Sequence, residues 1–447
     1  NYRFSAQGIK YIEEADHEFK MKNVPSIHPD AFMTIMDDYA GKIETVIESY
    51  YDPYYGDQEL RSSVETMYNN LMNDRLFGKQ LTNKFFSRSI LQEASPILDE
   101  DLPIMDKISK LQAFIFDHVA WDGSMQLKCN KPINRLFKEG KAGSAGLNFM
   151  LLTLLKELDI DAYPVLISTR DHGQSYSSMP IESDFDYVAV LAEIDESLLL
   201  FDIIDVLKPA SMLNYQALNQ FGYVLKKNTS FWVKTIPDIS MDIFYGEFRL
   251  ESNVLKGSFA TKHSNFSAYF ERDFTREADF LEHWKLAFQK RFPRAHVYDG
   301  NHENLLTLDQ DFKQKFSLDI PGAVSYDADT LFIEPFLYGA YDENPFLHRK
   351  RNYEIDFAYP FSEQYIFILE IPDNFKIHSL PNEFNSTVLN QSATLMIEPS
   401  VTTNQIQIIK RLEFTRAIYS QEESKAIMSI FEELDKRTKE KIVLIRN

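Results

Sequence analysis

Hydrophobic and polar residues follow two different periods along this chain, and each period predicts a different kind of element. From Leu60 to Ala120, apolar residues recur every three or four positions, which predicts a mainly helical stretch. A leucine-rich face from Ser144 to Leu158, directly after a glycine-rich turn, predicts a further helix. Runs of Val, Ile, Leu and aromatic residues then predict an antiparallel meander of three strands: Tyr163 to Ser168, Phe185 to Ala192, and Ser197 to Ile203.

Strand patterns dominate both ends of the chain. Near the start, strand-like runs at Gly8 to Ile12 and Lys42 to Glu48 flank the proline-containing segment Asn23 to Ser26, an arrangement typical of the tail of a β domain. After about Pro237 the residues alternate, with helices predicted around Glu277 to Arg291 and Glu422 to Thr438. The strands predicted there are Glu247 to Leu250, Leu255 to Thr261, Tyr353 to Phe357, Ile366 to Ile371, Gln405 to Lys410, and Ile442 to Arg446.

The length of 447 residues allows two to four domains at roughly 150 residues each. We predict an α+β fold in three parts. Residues 1–55 form the tail of an N-terminal β domain, residues 56–236 form an α+β core, and residues 237–447 form a C-terminal β-rich domain with helices.

The charge balance argues against several classes of partner. Lys and Arg total 47 against 67 Asp and Glu, and the net charge of -20 repels phosphate backbones and anionic lipid, so we expect no nucleic-acid partner. No apolar stretch approaches the ~20 residues that cross a bilayer, so we expect no transmembrane segment. The single cysteine, Cys129, excludes an intrachain disulfide and a multi-cysteine zinc site. Because the chain begins at Asn1 without a methionine or an apolar leader, we expect it to have been processed or trimmed.

Candidate chemistry lies at the start of the predicted helix that begins at Ser144. Unpaired backbone N–H groups and the helix dipole at such a start favour a reactive nucleophile. Hydrolases of this design take a base from a following strand and a carboxylate that orients the base. The required order along the chain is therefore nucleophile, base and acid.

Five segments carry a resemblance to a known family: Trp121 to Gly123, Lys141 to Ser144, Asp161 to Arg170, Phe185 to Val188, and Phe201 to Asp202. With them the chain resembles the bacterial transglutaminase-like proteins of papain-like fold, particularly the multi-domain kind of Bacteroidetes. The resemblance implies a papain-like core, in which helices pack on an antiparallel sheet, flanked by β-sandwich-like domains around segments such as Lys22 to Pro25 and Glu343 to Phe346. It also implies an extracytoplasmic location, periplasmic or associated with the outer membrane.

The departures from the family pattern concern its catalytic residues. Ser144 stands where the family has its cysteine nucleophile, and Gly146 stands in place of an acidic residue two positions later. Tyr187 replaces the histidine, while Asp202 matches the acid. A tyrosine hydroxyl, with a reference pKa near ~10, is a protonated donor at pH 7 and a poor base for a serine.

We therefore expect a pseudoenzyme without cofactor or metal, which acts as a binding or scaffold module for a peptide, glycan or protein partner. One alternative is a serine hydrolase or acyltransferase that uses Ser144 with a base such as His172. Another is an architectural protein whose cleft is filled with side chains. The ligand and the oligomeric state do not follow from the sequence.

Each candidate residue also has a structural interpretation. Ser144 is expected to be the N-cap of its helix, Tyr187 a core aromatic with its hydroxyl paired, and Asp202 a structural hydrogen-bonding residue. His172 reads as a solvated loop residue, and Cys129 as a passive thiol. The remaining histidines show no metal-ligand spacing with an acidic partner; among them are His118, His263, His296 and His302.

Overall fold

The computed structural model describes residues 2–5, 8–12, 18–24, 26–41, 49–52, 56–59, 64–175, 180–277, 279–339, 341, 343–346 and 351–447. Internal contacts divide the chain into two compact units. The N-terminal unit comprises Asn1–Pro29, Thr34–Val206 and Leu213–Thr235, and the C-terminal unit comprises Asp30–Met33, Leu207–Met212 and Ile236–Asn447.

The N-terminal unit combines helices with one five-stranded sheet. Its helices are α1 (Val64–Asn73), α2 (Gly78–Thr82), α3 (Arg88–Leu98), α4 (Ile104–His118), α5 (Ile133–Glu139) and α6 (Ser144–Glu157). Its strands are β1 (Tyr2–Ser5), β2 (Gly8–Ile12), β3 (Ser49–Asp52), β4 (Gly56–Glu59), β5 (Ala120–Trp121), β6 (Lys141–Ala142), β7 (Asp161–Ile167), β8 (Tyr187–Ile194), β9 (Ser197–Phe201), β10 (Phe221–Val224) and β11 (Phe231–Lys234).

Helix α6 forms the centre of this unit. Residues 144–155 are all buried, so the helix is enclosed on every side and not only along one stripe. It packs against β7 and β8, and also against α2, α3, α4 and α5. The sheet is antiparallel throughout, in the order β11-β10-β7-β8-β9. Because β8 and β9 are antiparallel neighbours, the start of β8 and the end of β9 lie toward the same end of the strands.

The C-terminal unit is built mainly of strands. They are β12 (Ser240–Glu251), β13 (Val254–His263), β14 (His296–Glu303), β15 (Phe312–Pro321), β16 (Val324–Asp327), β17 (Thr330–Ile333), β18 (Ile355–Asp356), β19 (Phe361–Glu370), β20 (Phe375–Ser379), β21 (Phe384–Val388), β22 (Ala393–Val401), β23 (Gln405–Phe414), β24 (Ile418–Tyr419) and β25 (Ile442–Arg446). Its helices are α7 (Asn265–Glu277), α8 (Phe280–Gln289) and α9 (Gln421–Arg437).

An eight-stranded sheet in the order β14-β15-β13-β12-β19-β23-β22-β21 organises this unit. Its pairs are antiparallel except for β12 with β19, which run parallel. One face carries two apolar clusters. The first joins Phe259 and Phe316 of the sheet to Trp284 of α8, and the second joins Phe414 to Phe431 of α9. A four-stranded sheet, β16-β17-β25-β20, contributes Leu331 and Leu444 to the first cluster.

The α+β class, the central helix and the three-stranded meander are confirmed. The helical stretch is confirmed over α1 to α4, and the predicted strand at Gly8 to Ile12 is β2. The prediction of one helix around Glu277 to Arg291 was incomplete, because α7 precedes α8. Helix α5 was not predicted. The predicted strand at Lys42 to Glu48 lies outside the described residues, and the three-part domain division stays a prediction.

Candidate functional site

Ser144 begins α6, as predicted, but it is not the N-cap. Gly143 occupies that position, without a side-chain capping hydrogen bond. Its hydroxyl instead accepts a hydrogen bond from the backbone N–H of Gln126 at 2.9 Å and donates to the Gln126 carbonyl at 3.4 Å. The N-cap prediction was wrong because the chain segment of Ser124 and Gln126 lies over the helix start, where the Ser144 N–H also donates to the Ser124 carbonyl.

Gly143 and Gly146, which flank Ser144, both lie in tight surroundings, the first under this segment and the second against α5 and β6. A Cβ atom on Gly143 would lie 2.5 Å from Oγ of Ser124, which is closer than real Cβ contacts. A Cβ atom on Gly146 would lie 2.9 Å from Cδ1 of Leu136 and 3.0 Å from Cβ of Ala142. A side chain at position 146 would therefore require Leu136 to move.

Asp202 is the centre of a buried polar cluster. Oδ1 accepts hydrogen bonds from the Tyr187 hydroxyl at 2.7 Å and from Nδ2 of Asn148 at 2.9 Å, and Oδ2 accepts one from the Asn214 N–H at 2.6 Å. Ser144, Asn148, Tyr187 and Asp202 are each 0% exposed. Because Asn148 lies one helical turn after Ser144, α6 places both on one face. We call Asn148, Tyr187 and Asp202 the Asp202 cluster.

Tyr187 has the environment of a hydrogen-bond donor and not of a base. Burial raises its pKa well above the ordinary value, and the negative charge of Asp202 and the hydrogen bond to that carboxylate raise it further. All three effects favour the neutral phenol, because the phenolate would be desolvated beside another anion. The expected core tyrosine with a paired hydroxyl is confirmed.

Asn148 was not anticipated from the sequence, although it completes the cluster. Its side-chain amide donates to Asp202 and to the Val188 carbonyl at 3.0 Å, and its Oδ1 accepts from the Ile203 N–H at 2.9 Å. The three hydrogen bonds of this buried amide link α6 both to β8 and to the residues that end β9. The available signal was an asparagine inside a leucine-rich helix, four positions after Ser144.

The rival catalytic residues have other partners. His172 is exposed, and its Nδ1 forms a hydrogen bond with the Ser168 hydroxyl at 2.8 Å. Cys129 is buried, and desolvation raises the pKa of its thiol to about 12, so it remains an unreactive thiol at neutral pH. His263 forms a hydrogen bond with Asp242 at 2.6 Å in the C-terminal unit.

The residues that the structure describes include neither a cluster of metal ligands nor a membrane-spanning helix. Among them, no group of three or more His, Cys, Asp or Glu side chains is arranged to hold a metal ion. None of their helices is both long and apolar enough to span a membrane.

Comparison with known proteins gives a partial family match and a fold match. A family described as a domain of unknown function with a solved structure, DUF3858, matches residues 329–444. A crystal structure of a "putative protease" from Parabacteroides distasonis aligns with 91% of this chain at a TM-score of 0.51 and 10% sequence identity. The likeness shows a shared fold. This chain spans 63% of the length of that protein. No curated protein matches the sequence of this chain.

Proposed function

We propose that this chain is a catalytically inactive transglutaminase-like protein that serves as a binding or scaffold module for a peptide, glycan or protein partner. In this proposal residues 56–236 form a papain-like core in which Ser144, Tyr187 and Asp202 occupy the positions of nucleophile, base and acid. The order of α6, β8 and β9 supports that assignment. An extracytoplasmic location belongs to the proposal and follows from the sequence resemblance alone.

The observation that carries the proposal is the closed Asp202 cluster. A nucleophilic serine needs a neighbouring base with an available lone pair, within about 3.2 Å of its hydroxyl. The Ser144 hydroxyl is bonded to the Gln126 backbone, and the residue in the base position is a buried tyrosine that donates its only proton to Asp202. A substrate carbonyl would also have to reach side chains that have no exposed surface.

An enzyme with this arrangement would lack each component of the usual rate enhancement. The helix dipole offers the Ser144 hydroxyl at most ~2 kcal/mol, which does not bring a hydroxyl into the nucleophilic range. Removing triad members leaves a residual enhancement of roughly 10³ to 10⁴, supplied by substrate binding and an oxyanion hole. Here that residual contribution is also blocked, because the segment of Ser124 and Gln126 covers the helix start.

The first prediction is that the purified protein neither hydrolyses amides or esters nor incorporates amines into a glutamine-containing protein above background. A fluorophosphonate probe should also leave Ser144 unlabelled, because the hydroxyl is buried and has no base. The assays should include Ser144→Ala and the double variant Ser144→Cys with Tyr187→His, which restores the family's residues on this backbone.

Turnover by the unmodified protein that disappears in Ser144→Ala would overturn the proposal and support the serine hydrolase. His172→Ala would then show whether that loop histidine supplies the base. Activity in the double variant alone would attribute the loss of catalysis to the two side chains, and it would contradict the argument that the segment of Ser124 and Gln126 closes the site.

A further inference from the structure

The eight-stranded sheet of the C-terminal unit packs one face on the apolar core and carries two ordered rows of side chains on the other. Each row crosses β12, β13, β15 and β14, with directly paired residues side by side. The first row consists of Tyr245, Ala260, Lys315 and Asn301, and the second of Ile243, Lys262, Lys313 and Glu303. We call these eight residues the lysine rows.

The rows enclose a depression because their smallest side chain lies in the middle. Ala260 has Tyr245 and Lys315 as its cross-strand neighbours and Lys262 two residues further along β13. Three long side chains around one methyl group leave a depression of about 380 Å³. This volume lies in the range of about 300–1,000 Å³ that small-molecule sites occupy.

The charges around the depression break a rule of sheet stability. Lys262 and Lys313 are directly paired across the strands, and like charges in that position repel each other. Lys262 has an ion pair with Asp311 at 2.8 Å and Lys313 one with Glu303 at 3.8 Å, but exposed pairs of this kind contribute little. Lys315 is exposed and makes no ion pair within the part of the chain that the structure describes. Three adjacent amines therefore favour a bound anion.

A second depression begins one row further along the same face. Its row consists of Glu247, Ser258, Ser317 and Tyr298, and the depression measures about 460 Å³. Successive rows lie about 7 Å apart, since each row advances two residues along a strand. Acidic and basic side chains both line it, including Arg249 and Glu370, so this depression is polar without being basic. Two depressions in line suit a ligand made of repeating units.

We propose that the lysine rows bind the carboxylate of a uronic acid residue in an anionic glycan. The lysine amines would hold the carboxylate, the Tyr245 ring would offer an apolar wall to the C–H face of the sugar, and the Asn301 amide would pair with hydroxyl groups. The second depression would take the neighbouring sugar. An acidic peptide fits less well, because extended peptides bind sheet edges through backbone hydrogen bonds, and the backbone groups at Ala260 are already paired on both sides.

The net charge of -20 does not exclude this ligand. Electrostatic effects of distant exposed carboxylates decay over a Debye length of about 8 Å at physiological salt. A carboxylate inside the depression would therefore respond mainly to the local charges, which are three lysines against Glu303 in the lining and Asp311 beside Lys262, a net positive charge. The inference concerns the C-terminal unit and does not depend on the loss of catalysis at Ser144.

The test is calorimetric titration of the full chain with an oligogalacturonate of defined length, at low and at high salt. Binding should weaken at high salt, and a neutral oligosaccharide of the same length should bind at least tenfold more weakly. Lys315→Gln removes the amine that has no ion pair among the described residues, and it should weaken binding at least tenfold. Ala260→Leu fills the depression without changing any charge and should weaken binding to a similar extent. Lys285→Gln, on α8 and outside the lining of both depressions, is the control and should bind like the unmodified protein.

Three outcomes would overturn the proposal: no binding of the oligogalacturonate, equal binding by Ala260→Leu, or equal binding of the neutral oligosaccharide. A polyglutamate peptide is titrated in parallel. If it bound through Lys315 while the oligogalacturonate did not, the site would belong to an acidic peptide and the glycan assignment would be wrong. Circular dichroism of each variant confirms that it is folded, so that a loss of binding refers to the site itself.

Discussion

In the proposed correspondence with the transglutaminase-like family, tyrosine in place of histidine at position 187 would keep one hydrogen bond and remove the base. A histidine that donates Nδ1–H to a carboxylate still presents a basic lone pair on Nε2. A tyrosine side chain has only its hydroxyl, so once that hydroxyl donates to a carboxylate no basic atom remains. The hydrogen bond from the Tyr187 hydroxyl to Asp202 therefore holds β8 to the carboxylate, and under the proposed function this position no longer supplies a base. Asn148 donates a second hydrogen bond to Oδ1 of Asp202, so the Asp202 cluster has the hydrogen bonding of a structural element.

At this scale we predict that Tyr187→Phe destabilises the protein by about 1–3 kcal/mol without changing its fold, because a buried carboxylate loses one of its donors. Chemical denaturation followed by fluorescence measures this difference. Tyr298→Phe is the matched control, since that hydroxyl also donates to an aspartate, Asp319, at 3.2 Å but in a half-buried position. Equal losses in both variants would mean that burial of the Asp202 cluster adds nothing to stability.

Local patterns predicted some elements well and missed others for a physical reason. Helix α6 and the strands of the meander are runs of apolar residues, so their hydrophobicity alone marks them. Helix α7 was missed because part of its buried side is charged. Arg272 is buried and donates to the carbonyls of Asn304, Thr307 and Gln310. The spacing of hydrophobic residues in the sequence cannot predict such a buried arginine.

The partners of the candidate site were missed for a related reason. The positions of Ser144, Tyr187 and Asp202 followed from motif resemblance, whereas the partners Gln126 and Asn214 act through backbone groups. A backbone N–H carries no residue-specific signal, so a sequence can suggest which side chain needs a partner but not which loop supplies it.

Helix α7 also carries a titratable group, Glu271, whose pKa is shifted by its surroundings. Glu271 faces His263 and Asp242, and burial raises its pKa above the ordinary value, with the Asp242 charge adding to the rise and His263 opposing it. Its Oε2 atom has no hydrogen-bond partner among the described residues, and the same holds for Nε2 of His263. Since the folded-state pKa of this acid lies above its unfolded value, folding favours the protonated form.

The sign of the resulting pH dependence follows directly. Below a pH of about 4.3 Glu271 is protonated in both states, and as the pH rises through the raised folded-state pKa its contribution to stability is lost. Glu271→Gln imitates the protonated form, so we predict that it matches the unmodified protein near pH 4 and is more stable at pH 8 by about 1–3 kcal/mol. Urea unfolding at several pH values measures this. Glu277→Gln, on the same helix but exposed, should show no such trend, and a variant that lost stability at pH 8 would show that Glu271 is needed as an anion.

At the scale of the whole molecule, the C-terminal unit is assembled from stretches that are far apart in sequence. The short segment Asp30–Met33 belongs to it. Asp30 forms an ion pair with Arg351 at 3.1 Å, with side chains 6% and 0% exposed. The Phe32 ring lies 4.6 Å from that of Phe357, and its carbonyl accepts from the Asp356 N–H at 2.9 Å. No local pattern could place four residues of an early segment in a core that forms more than 300 positions later.

This assembly gives a prediction that only the complete chain can test. Phe32→Ala should destabilise the C-terminal unit by about 2–4 kcal/mol, somewhat below the range for a fully buried phenylalanine, because its ring packs within a cluster of aromatic rings but is itself only partly buried.

Trp284 is buried in this unit, whereas the other two tryptophans, Trp121 and Trp232, lie in the N-terminal unit. Replacing those two by Phe makes Trp284 the sole tryptophan. In this background, Phe32→Ala should lower the guanidinium midpoint of unfolding reported by Trp284 fluorescence. Phe85→Ala, at a side chain 72% exposed in the N-terminal unit, makes the same chemical change and should leave the Trp284 midpoint in place. If Phe32→Ala also left the midpoint in place, the Phe32 ring would contribute no stability to the unit that contains it.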